Sequence, residues 1–426
     1  MARCLNENEA VEIFAACSAF GVTLGLVVTR PRLTRGFRVS PWQAAVFGVI
    51  VMTGVGLVTL PDIHATLAEV WRSFVALAAI MIMTQVAHTV GVLELWAARV
   101  ESRAATTGAL FALVFGLGVV TASTLNNDAA ILLLTPLVIT LARRRFPGRP
   151  ALALPLAFAV FMAAGVAPLV VSNPMNMIVA EYAGIGFNEY ALRMLPIAIA
   201  GWLVAYYVLR HLFRKELEAR SPKPEARSLT VPKANRAQKA VIALLVAVLG
   251  SYSIVGYAGG PVWVVAVFGA VVAISIAARE TRVHPLRTVR DGVSWRTLGF
   301  LLAVLVLATG MLNAGFVEYL TGHYESIGSF GVGATSAAGS AVFNNHPMAY
   351  MNMLALEAHG DTDVLAALIG GDLGPRLLPM GSLAGLLWID MLARAGIEVP
   401  VRTFFRIGLW VTVPALLVSL GILSLY

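Results

Sequence analysis

The chain of 426 residues has a hydrophobic fraction of 58%, a charged fraction of 13% and a mean hydropathy of +0.81. Soluble globular proteins carry about 25% charged residues, so this composition predicts an all-α polytopic membrane protein and excludes a large soluble domain. The net charge of +8 is explained by cytoplasmic loops rather than by nucleic acid. The chain has no Walker A sequence, and its two cysteines, Cys4 and Cys17, give no disulfide framework or metal cluster. We therefore expect no metal and no cofactor.

Eight apolar runs are long enough to cross a bilayer, which takes roughly 20 residues. They lie at 11–29, 41–60, 72–93, 191–213, 237–254, 261–278, 296–317 and 403–425. Acidic residues precede the first run, at Glu7 and Glu9. A signal peptide begins with basic residues instead, so we expect the first run to be a permanent helix.

Two further apolar regions, 108–142 and 330–357, are polar in the centre. Each carries a pair of asparagines there, and the two pairs are 218 positions apart: Asn126-Asn127 and Asn344-Asn345. Amides are costly in hydrocarbon unless they line a cavity enclosed by protein. Each region therefore predicts a re-entrant hairpin that enters and leaves on the same side of the membrane.

Regions 151–183 and 364–394 predict spans that are broken near the middle by proline and glycine. With them, each half of the chain has five spans and one hairpin, and an odd number of spans inverts the second half. Inverted repeats with broken helices at the midplane are typical of secondary transporters. The sequence thus predicts a first repeat at 1–213, a cytoplasmic linker at 214–236 and a second, inverted repeat at 237–426.

Lysine and arginine are concentrated in the loops on one predicted side. If the N-terminus lies outside, the inside loops hold 27 of the 31 basic residues, at 30–40, 94–107, 142–150, 210–239, 279–296 and 394–406. Basic residues favour cytoplasmic loops, so this distribution supports the orientation. It also supports the first hairpin, because Arg143, Arg144 and Arg145 would otherwise lie outside.

Several segments resemble the arsenite efflux permeases, the ArsB family of the ion-transporter superfamily. They run in the family's order along nearly the whole chain: Asn127-Asp-Ala-Ala-Ile-Leu-Leu-Leu-Thr-Pro136, Val171-Ser-Asn-Pro-Met-Asn176, Asn313-Ala-Gly-Phe-Val-Glu-Tyr319, Gly371-Asp-Leu-Gly-Pro-Arg376 and Gly381-Ser-Leu-Ala384. The resemblance implies export of arsenite or antimonite across a bacterial inner membrane in exchange for protons. Family members also work with a separate soluble ATPase subunit. Asn126 departs from the family's pattern, which has a small residue there, and His346 stands where methionine is expected.

Arsenious acid is a small neutral trihydroxide near pH 7, so a site for it needs amides, hydroxyls and free backbone groups rather than a cationic clamp. The polar residues of the hairpins and broken spans provide that set, and we expect them to bind the substrate: Asn126, Asn127, Ser172, Asn173, Asn344, Asn345 and Ser382. Broken helices add exposed N–H and C=O groups. The alternative role for each asparagine is that of a helix cap without a ligand.

Three titratable residues are candidates for proton coupling. Asp128 is the best placed, at the start of a half-helix in the first hairpin, although it could serve only as an N-cap. His346 titrates near neutral pH when unperturbed. Asp372 lies four positions before Arg376, and a buried ion pair that holds the broken helix is an equally good reading.

Two other transport functions use the same architecture, a sodium/proton antiporter and an organic-anion carrier. Sodium favours more carboxylates in the cavity, and an organic dianion favours cationic groups or helix N-termini, whereas the candidate residues here are mostly neutral. A passive channel is a third possibility, which paired broken repeats argue against. An enzyme has little support, because no nucleophile or metal-ligand constellation accompanies Asp128 and His346.

Overall fold

The computed structural model describes residues 7–34, 37–146, 148–218, 233–281 and 284–426, and it is helical throughout apart from one small strand pair. The prediction of an all-α polytopic membrane protein is confirmed. The strands β1 (Arg32–Thr34) and β2 (Phe37–Arg38) pair antiparallel in the loop after the first helix. Cys4 and most of the predicted linker lie outside the described residues.

The described part of the first half contains nine α-helices up to residue 212. They are α1 (Glu7–Thr29), α2 (Pro41–Gly54), α3 (Leu60–Thr89), α4 (Val92–Arg103), α5 (Thr107–Thr124), α6 (Asn127–Arg145), α7 (Ala153–Ala163), α8 (Pro174–Tyr182) and α9 (Phe187–Leu212). A short helix, α10 (Arg214–Glu218), follows at the start of the predicted linker.

The second half repeats this order of elements, with one additional short helix, α13. Its helices are α11 (Arg236–Tyr257), α12 (Val262–Thr281), α13 (Pro285–Gly292), α14 (Trp295–Asn313), α15 (Phe316–Tyr324), α16 (Gly328–Phe343), α17 (Asn345–Ala355), α18 (Asp361–Leu373), α19 (Leu383–Arg394) and α20 (Val401–Leu423). Seven helices of the described chain are long and apolar enough to cross a membrane: α3, α5, α9, α11, α12, α14 and α20.

The boundary between α2 and α3 differs from the sequence expectation of spans at 41–60 and 72–93. Helix α2 ends at Gly54, and α3 begins at Leu60. A capping box sets that start, because the Thr59 hydroxyl accepts from the Asp62 N–H while the Asp62 carboxylate accepts from the Thr59 N–H at 2.8 Å. Pro61 in the first turn suits the same position.

Helices α5 and α6 form a hairpin whose open ends meet. Arg145 at the end of α6 donates to the carbonyl of Ala104, just before α5, at 3.5 Å. Helices α16 and α17 form a second hairpin, since Asn352 donates to the Ser336 hydroxyl at 2.8 Å and accepts from Tyr324 at 2.5 Å. Both pairs of helices therefore turn back at an asparagine pair.

The two halves pack crosswise. Helix α3 packs on α12 of the other half, and α14 packs on α2 in the corresponding way. The second helix of each hairpin contacts the opposite broken span, so that α6 lies against α19 and α17 lies against α8, while α9 pairs with α20. This exchange brings both hairpin tips to the centre of the molecule.

Glycines allow the hairpin helix α16 to approach the broken helix α18 closely. A Cβ atom on Gly370 would lie 2.1 Å from the carbonyl oxygen of Gly333, and one on Gly374 would lie 2.2 Å from that of Ala337. Larger side chains at these positions would force the backbones apart, as at other small-residue interfaces between membrane helices.

The loops rich in basic residues contact one another on one face of the molecule. The contacts join Arg145 with Ala104, Arg143 with Ala395, Arg149 with Glu216, Arg236 with Glu280, and Gln238 with Gly91. Loops at the other end of the helices meet separately, where Arg193 pairs with Asp361 at 3.3 Å.

Candidate functional site

The two hairpin tips have the same local construction. The side-chain oxygen of Asn126 accepts from the N–H of Asp128 at 2.8 Å, and that of Asn344 accepts from the N–H of His346 at 3.3 Å. Each asparagine therefore satisfies an N–H group at the start of the helix that follows it. Asp128 and His346 consequently occupy equivalent positions in the two hairpins.

The tip of the second hairpin holds a strained residue. Asn344 has φ +78° and ψ 145°, a region that residues other than glycine rarely adopt. Its side chain is fixed on both sides, because the amide nitrogen donates to the Met380 carbonyl at 3.2 Å while the oxygen caps α17. Strained backbone of this kind concentrates at functional sites.

The breaks in the two interrupted spans also end in capped helices. Asn173 accepts from the N–H of Met175 at 3.2 Å at the start of α8, and the Ser382 hydroxyl accepts from the N–H of Gly385 at 2.9 Å at the start of α19. Ser172 is fully buried and donates to the Ser123 carbonyl at 2.9 Å. The N-termini of four helices therefore lie near the centre of the molecule: α6, α8, α17 and α19. The first N–H groups of each helix have no acceptor within that helix.

These N-termini line a cavity of about 180 Å³ between the two hairpins. The long helices α3 and α14 complete its wall. The polar lining side chains are Thr84, Gln85, Asn126, Asp128, Ser294, Thr297 and His346. Since sites for drug-sized ligands have roughly 300–1,000 Å³, this cavity suits a smaller solute.

The predicted site residues fall into two groups in the structure. Asn126, Asp128 and His346 line the cavity. The others stand behind it as caps or tethers: Ser172, Asn173, Asn344 and Ser382. Asn127 lies 3.5 Å from the Gly165 carbonyl, and the oxygen of buried Asn345 has no hydrogen-bond partner among the described residues.

Asp128 presents its carboxylate to the cavity. The side chain is half-buried, and no donor of the described chain forms a hydrogen bond with its carboxylate oxygens. Its position in the first turn of α6 places the negative charge at the positive end of the helix dipole. The carboxylate is therefore available to a solute or a proton.

His346 is buried at the other side of the same cavity. Its Nδ1 atom lies 3.2 Å from the side-chain oxygen of Asn344. Because that oxygen can only accept, a hydrogen bond there requires the proton on Nδ1 and leaves Nε2 as an acceptor. The neutral imidazole then offers one acceptor to a solute with hydroxyl groups.

Asp372 is committed to a polar junction between the two broken spans. Its carboxylate accepts from the Ala167 N–H at 2.8 Å, from Asn173 at 2.6 Å and from Asn176 at 2.9 Å. Asn176 also donates to the Tyr190 hydroxyl at 2.6 Å. Three donors from the first half therefore hold one carboxylate of the second half.

Arg376 does not form the ion pair with Asp372 that the sequence allowed. No distance within 4.0 Å joins their charged atoms in the described part of the chain, and Nε and Nη2 of Arg376 are buried without a hydrogen-bond partner there. The guanidinium lies instead beside Gly165. Among the described residues, the hydrogen bonds to Asp372 thus come from amide groups alone.

The polar residues that α3 and α14 contribute to the cavity were not predicted from the sequence. Thr84 is buried with its hydroxyl unpartnered within the described residues, and Ser294 and Thr297 lie 2.7 Å apart at their hydroxyl oxygens. The signal was present, since Thr84 and Gln85 interrupt an apolar run. Thr84 and Gln85 line the cavity only because their side of α3 faces the hairpins. The apolar sequence does not specify which side of the helix that is.

The fold and this site define a multi-pass membrane protein with a solute-sized cavity lined by both helical hairpins, both broken spans and the long helices α3 and α14. The sequence profile of the arsenical pump membrane protein (ArsB) family matches residues 15–426. The chain belongs to this family, whose members are bacterial membrane transporters.

Individual relatives match along almost their full length. The chain is 31% identical to the arsenical pump membrane protein of Yersinia enterocolitica and to that of Escherichia coli (strain K12), over 96% of this chain and 98% of each relative. It is 27% identical to a putative arsenical pump membrane protein of Bacillus subtilis (strain 168), over 88% of this chain and 90% of the relative.

Among solved structures, the YdaH transporter of Alcanivorax borkumensis has a similar fold. The TM-score is 0.59, with 99% of this chain and 98% of the other covered, and the sequence identity is 13%. At this identity the likeness concerns the fold alone.

Proposed function

We propose that the chain exports arsenite and antimonite in exchange for protons, and that the cavity between the hairpin tips is the substrate site. Family membership supports the substrate, since the relatives are named as arsenical pumps. The observation that carries the proposal is the lining: hydroxyl, amide and imidazole groups surround one carboxylate, and no lysine or arginine of the described chain lines the cavity.

Arsenious acid matches this lining chemically. Its three hydroxyl groups donate to the Asp128 carboxylate and to His346 Nε2, and its oxygens accept from the amides of Asn126 and Gln85. The hydroxyl of Thr84, which has no hydrogen-bond partner among the described residues, gains one when such a solute is bound. A sodium ion would be served by a single carboxylate here, which makes a sodium/proton antiporter the weaker candidate.

The four helix N-termini favour a second candidate, an organic-anion carrier. Each N-terminus carries about half a positive charge from the helix dipole and directs N–H groups at the cavity. The positive potential of these N-termini also stabilises an ionised Asp128. A neutral substrate beside that carboxylate therefore suits the cavity as well as an anionic substrate does. The size of the cavity, about 180 Å³, favours the smaller solute.

Proton exchange follows if Asp128 binds either a proton or the substrate. An ionised carboxylate accepts hydrogen bonds from As–OH groups, whereas a protonated one loses part of this capacity and becomes a donor. Uptake of a proton from outside then releases the substrate, and loss of the proton inside restores the site. Asp372 is less suited to this role because three donors already occupy its carboxylate.

We further propose that the halves at 1–213 and 237–426 are inverted repeats joined by a cytoplasmic linker at 214–236. Their repeated order of elements and crosswise packing support this relation. The contacts among the basic loops support a common cytoplasmic face. Gly292 and Ser294 of the basic loop 279–296 line the cavity, which supports our assignment of this conformation as inward-facing. Association with a soluble ATPase subunit stays a prediction, and such a subunit would bind on the cytoplasmic face formed by the basic loops.

Everted membrane vesicles test the function. Export then appears as accumulation of arsenite inside the vesicles, which we expect when a proton gradient is present and not after a protonophore dissipates it. Competition by antimonite should reduce the rate. Absence of arsenite accumulation, together with uptake of an organic dianion by the same vesicles, would favour the second candidate.

A further inference from the structure

A second polar cavity lies on the other side of the centre, away from the basic loops. It has a volume of about 140 Å³ and is lined by three of the helices that also line the substrate cavity, α3, α8 and α17. Its residues are Glu69, Arg72, Ser73, Ile178, Glu181, Tyr182 and Met353.

The two cavities follow one another along the same helices. On α3 the substrate cavity extends to Leu77 and the second cavity begins at Ser73; on α8 the corresponding residues are Pro174 and Ile178. Both steps are four residues, or about 6 Å along a helix. The two cavities are therefore separated by roughly one helical turn.

Tyr350 belongs to this separating layer. It lies one turn after His346 on α17, is 3% exposed, and donates its hydroxyl to the Glu69 carboxylate at 2.8 Å. A second hydrogen bond closes the neighbouring contact between α3 and α8, where Ser73 donates to Glu181 at 2.7 Å. Arg72 lies 3.8 Å from Glu181, with its side chain largely exposed.

We propose that the second cavity is the outer section of the solute pathway and that the hydrogen bonds Tyr350–Glu69 and Ser73–Glu181 form its outer gate. The inference rests on the proposed transport function, because a pathway has meaning only if the chain moves a solute. Breaking these bonds frees two carboxylates and two hydroxyls, which are the groups that a small polyhydroxyl solute needs on its way out. In the inward-facing conformation the same groups bind one another and exclude the solute.

The gate is tested by labelling a cysteine from outside. In a chain without Cys4 and Cys17, Ala129→Cys places a thiol in the wall of the substrate cavity, beyond the gate as seen from outside, where the residue is half-buried. A membrane-impermeant thiol reagent is added to right-side-out vesicles, and the rate is normalised to the total thiol labelled after denaturation. We expect slow labelling from outside.

Tyr350→Phe removes one gate hydrogen bond and should increase this rate at least about tenfold, which corresponds to about 1.4 kcal/mol and to the lower end for hydrogen bonds to a charged group. Ser73→Ala is a second gate variant and should act in the same direction. Tyr252→Phe is the matched control, because the buried Tyr252 hydroxyl has no partner among the described residues; its rate should not change.

Unchanged rates of labelling from outside in both gate variants would overturn the proposal. The labelling requires no arsenite, so it is independent of the substrate. If the gate variants label faster while no arsenite is transported, the pathway stands and the proposed substrate is wrong. If arsenite is transported but labelling does not respond, the gate is wrong and the transport function stands.

Discussion

Replacing Asp372 by asparagine is expected to destabilise the protein through its hydrogen bonds. One carboxylate oxygen accepts from Ala167 N–H and Asn176, and the other accepts from Asn173. An asparagine at 372 can keep its oxygen toward the first two donors, but its NH₂ group then faces the NH₂ group of Asn173. Leaving a buried donor unsatisfied costs about 1–3 kcal/mol.

Asn173 cannot resolve this conflict by rotating its amide. Its oxygen accepts from the N–H of Met175 and caps α8, so a flip would lose that cap at a cost of about 1 kcal/mol. Asp372→Ala should be more damaging, because three donors then lose their acceptor at roughly 3–9 kcal/mol in total. That range approaches the typical stability of a folded domain, about 5–15 kcal/mol.

The exchange of the two residues should restore stability. In the double variant Asp372→Asn with Asn173→Asp, the amide at 372 donates to the carboxylate at 173, whose other oxygen still caps Met175 N–H. The assay is thermal denaturation of the detergent-solubilised protein, followed as the loss of monodisperse material. We expect each single variant to melt below the wild type and the double variant to recover most of the difference.

A different result would contradict the structural role. If Asp372→Asn is as stable as the wild type but transports no arsenite, Asp372 takes part in coupling rather than in holding the broken spans together. Failure of the double variant to recover stability would show that the charge at 372, and not its hydrogen-bond pattern, is what the junction needs.

Three other changes test separate parts of the structure. Asn344→Gly should melt above Asn344→Ala, because alanine at φ +78° adds about 1–3 kcal/mol of backbone strain to the lost cap; equal melting temperatures would argue against the strained tip. Asn126→Ala should impair arsenite resistance of cells more than Asn127→Ala at equal membrane abundance, since only Asn126 lines the cavity; the reverse order would move the site. Single cysteines at Glu325 and Lys233, in a chain without native cysteines, should react with an impermeant reagent from outside and from inside, respectively, and the opposite sides would reverse the topology.

The sequence predicted the helices well because hydropathy and helix-breaking residues are local properties. The Asn126 and Asn344 pairs marked both hairpin tips, and the proline after Asn173 marked the break before α8. Even the boundary at Leu60 had a local signal, the capping residues Thr59 and Asp62, which the apolar run masked.

The site was less predictable because its residues meet only in the packed structure. Asp372 and Asn173 are 199 positions apart and bind each other directly. Adjacent asparagines point in different directions on a helix, so Asn126 reaches the cavity while Asn127 does not. Thr84 lines the cavity because it lies on the side of α3 that packs toward the hairpins. Composition identifies polar residues in a membrane, but it does not say which cavity they face.

If Asp128 exchanges a proton for the substrate, binding of the substrate must release a proton from the purified protein. Arsenite is added to purified, weakly buffered protein between about pH 4 and 7, a range that covers unperturbed and desolvated carboxyl groups. If the substrate binds only the ionised form of Asp128, linkage requires that its binding expels the proton from the carboxyl group. The affinity for the substrate must then fall as the pH falls. We predict proton release from the wild type and none from Asp128→Asn, which should retain downhill arsenite exchange but lose uphill flux in vesicles. Wild-type proton release together with uphill flux in Asp128→Asn would show that another group carries the proton.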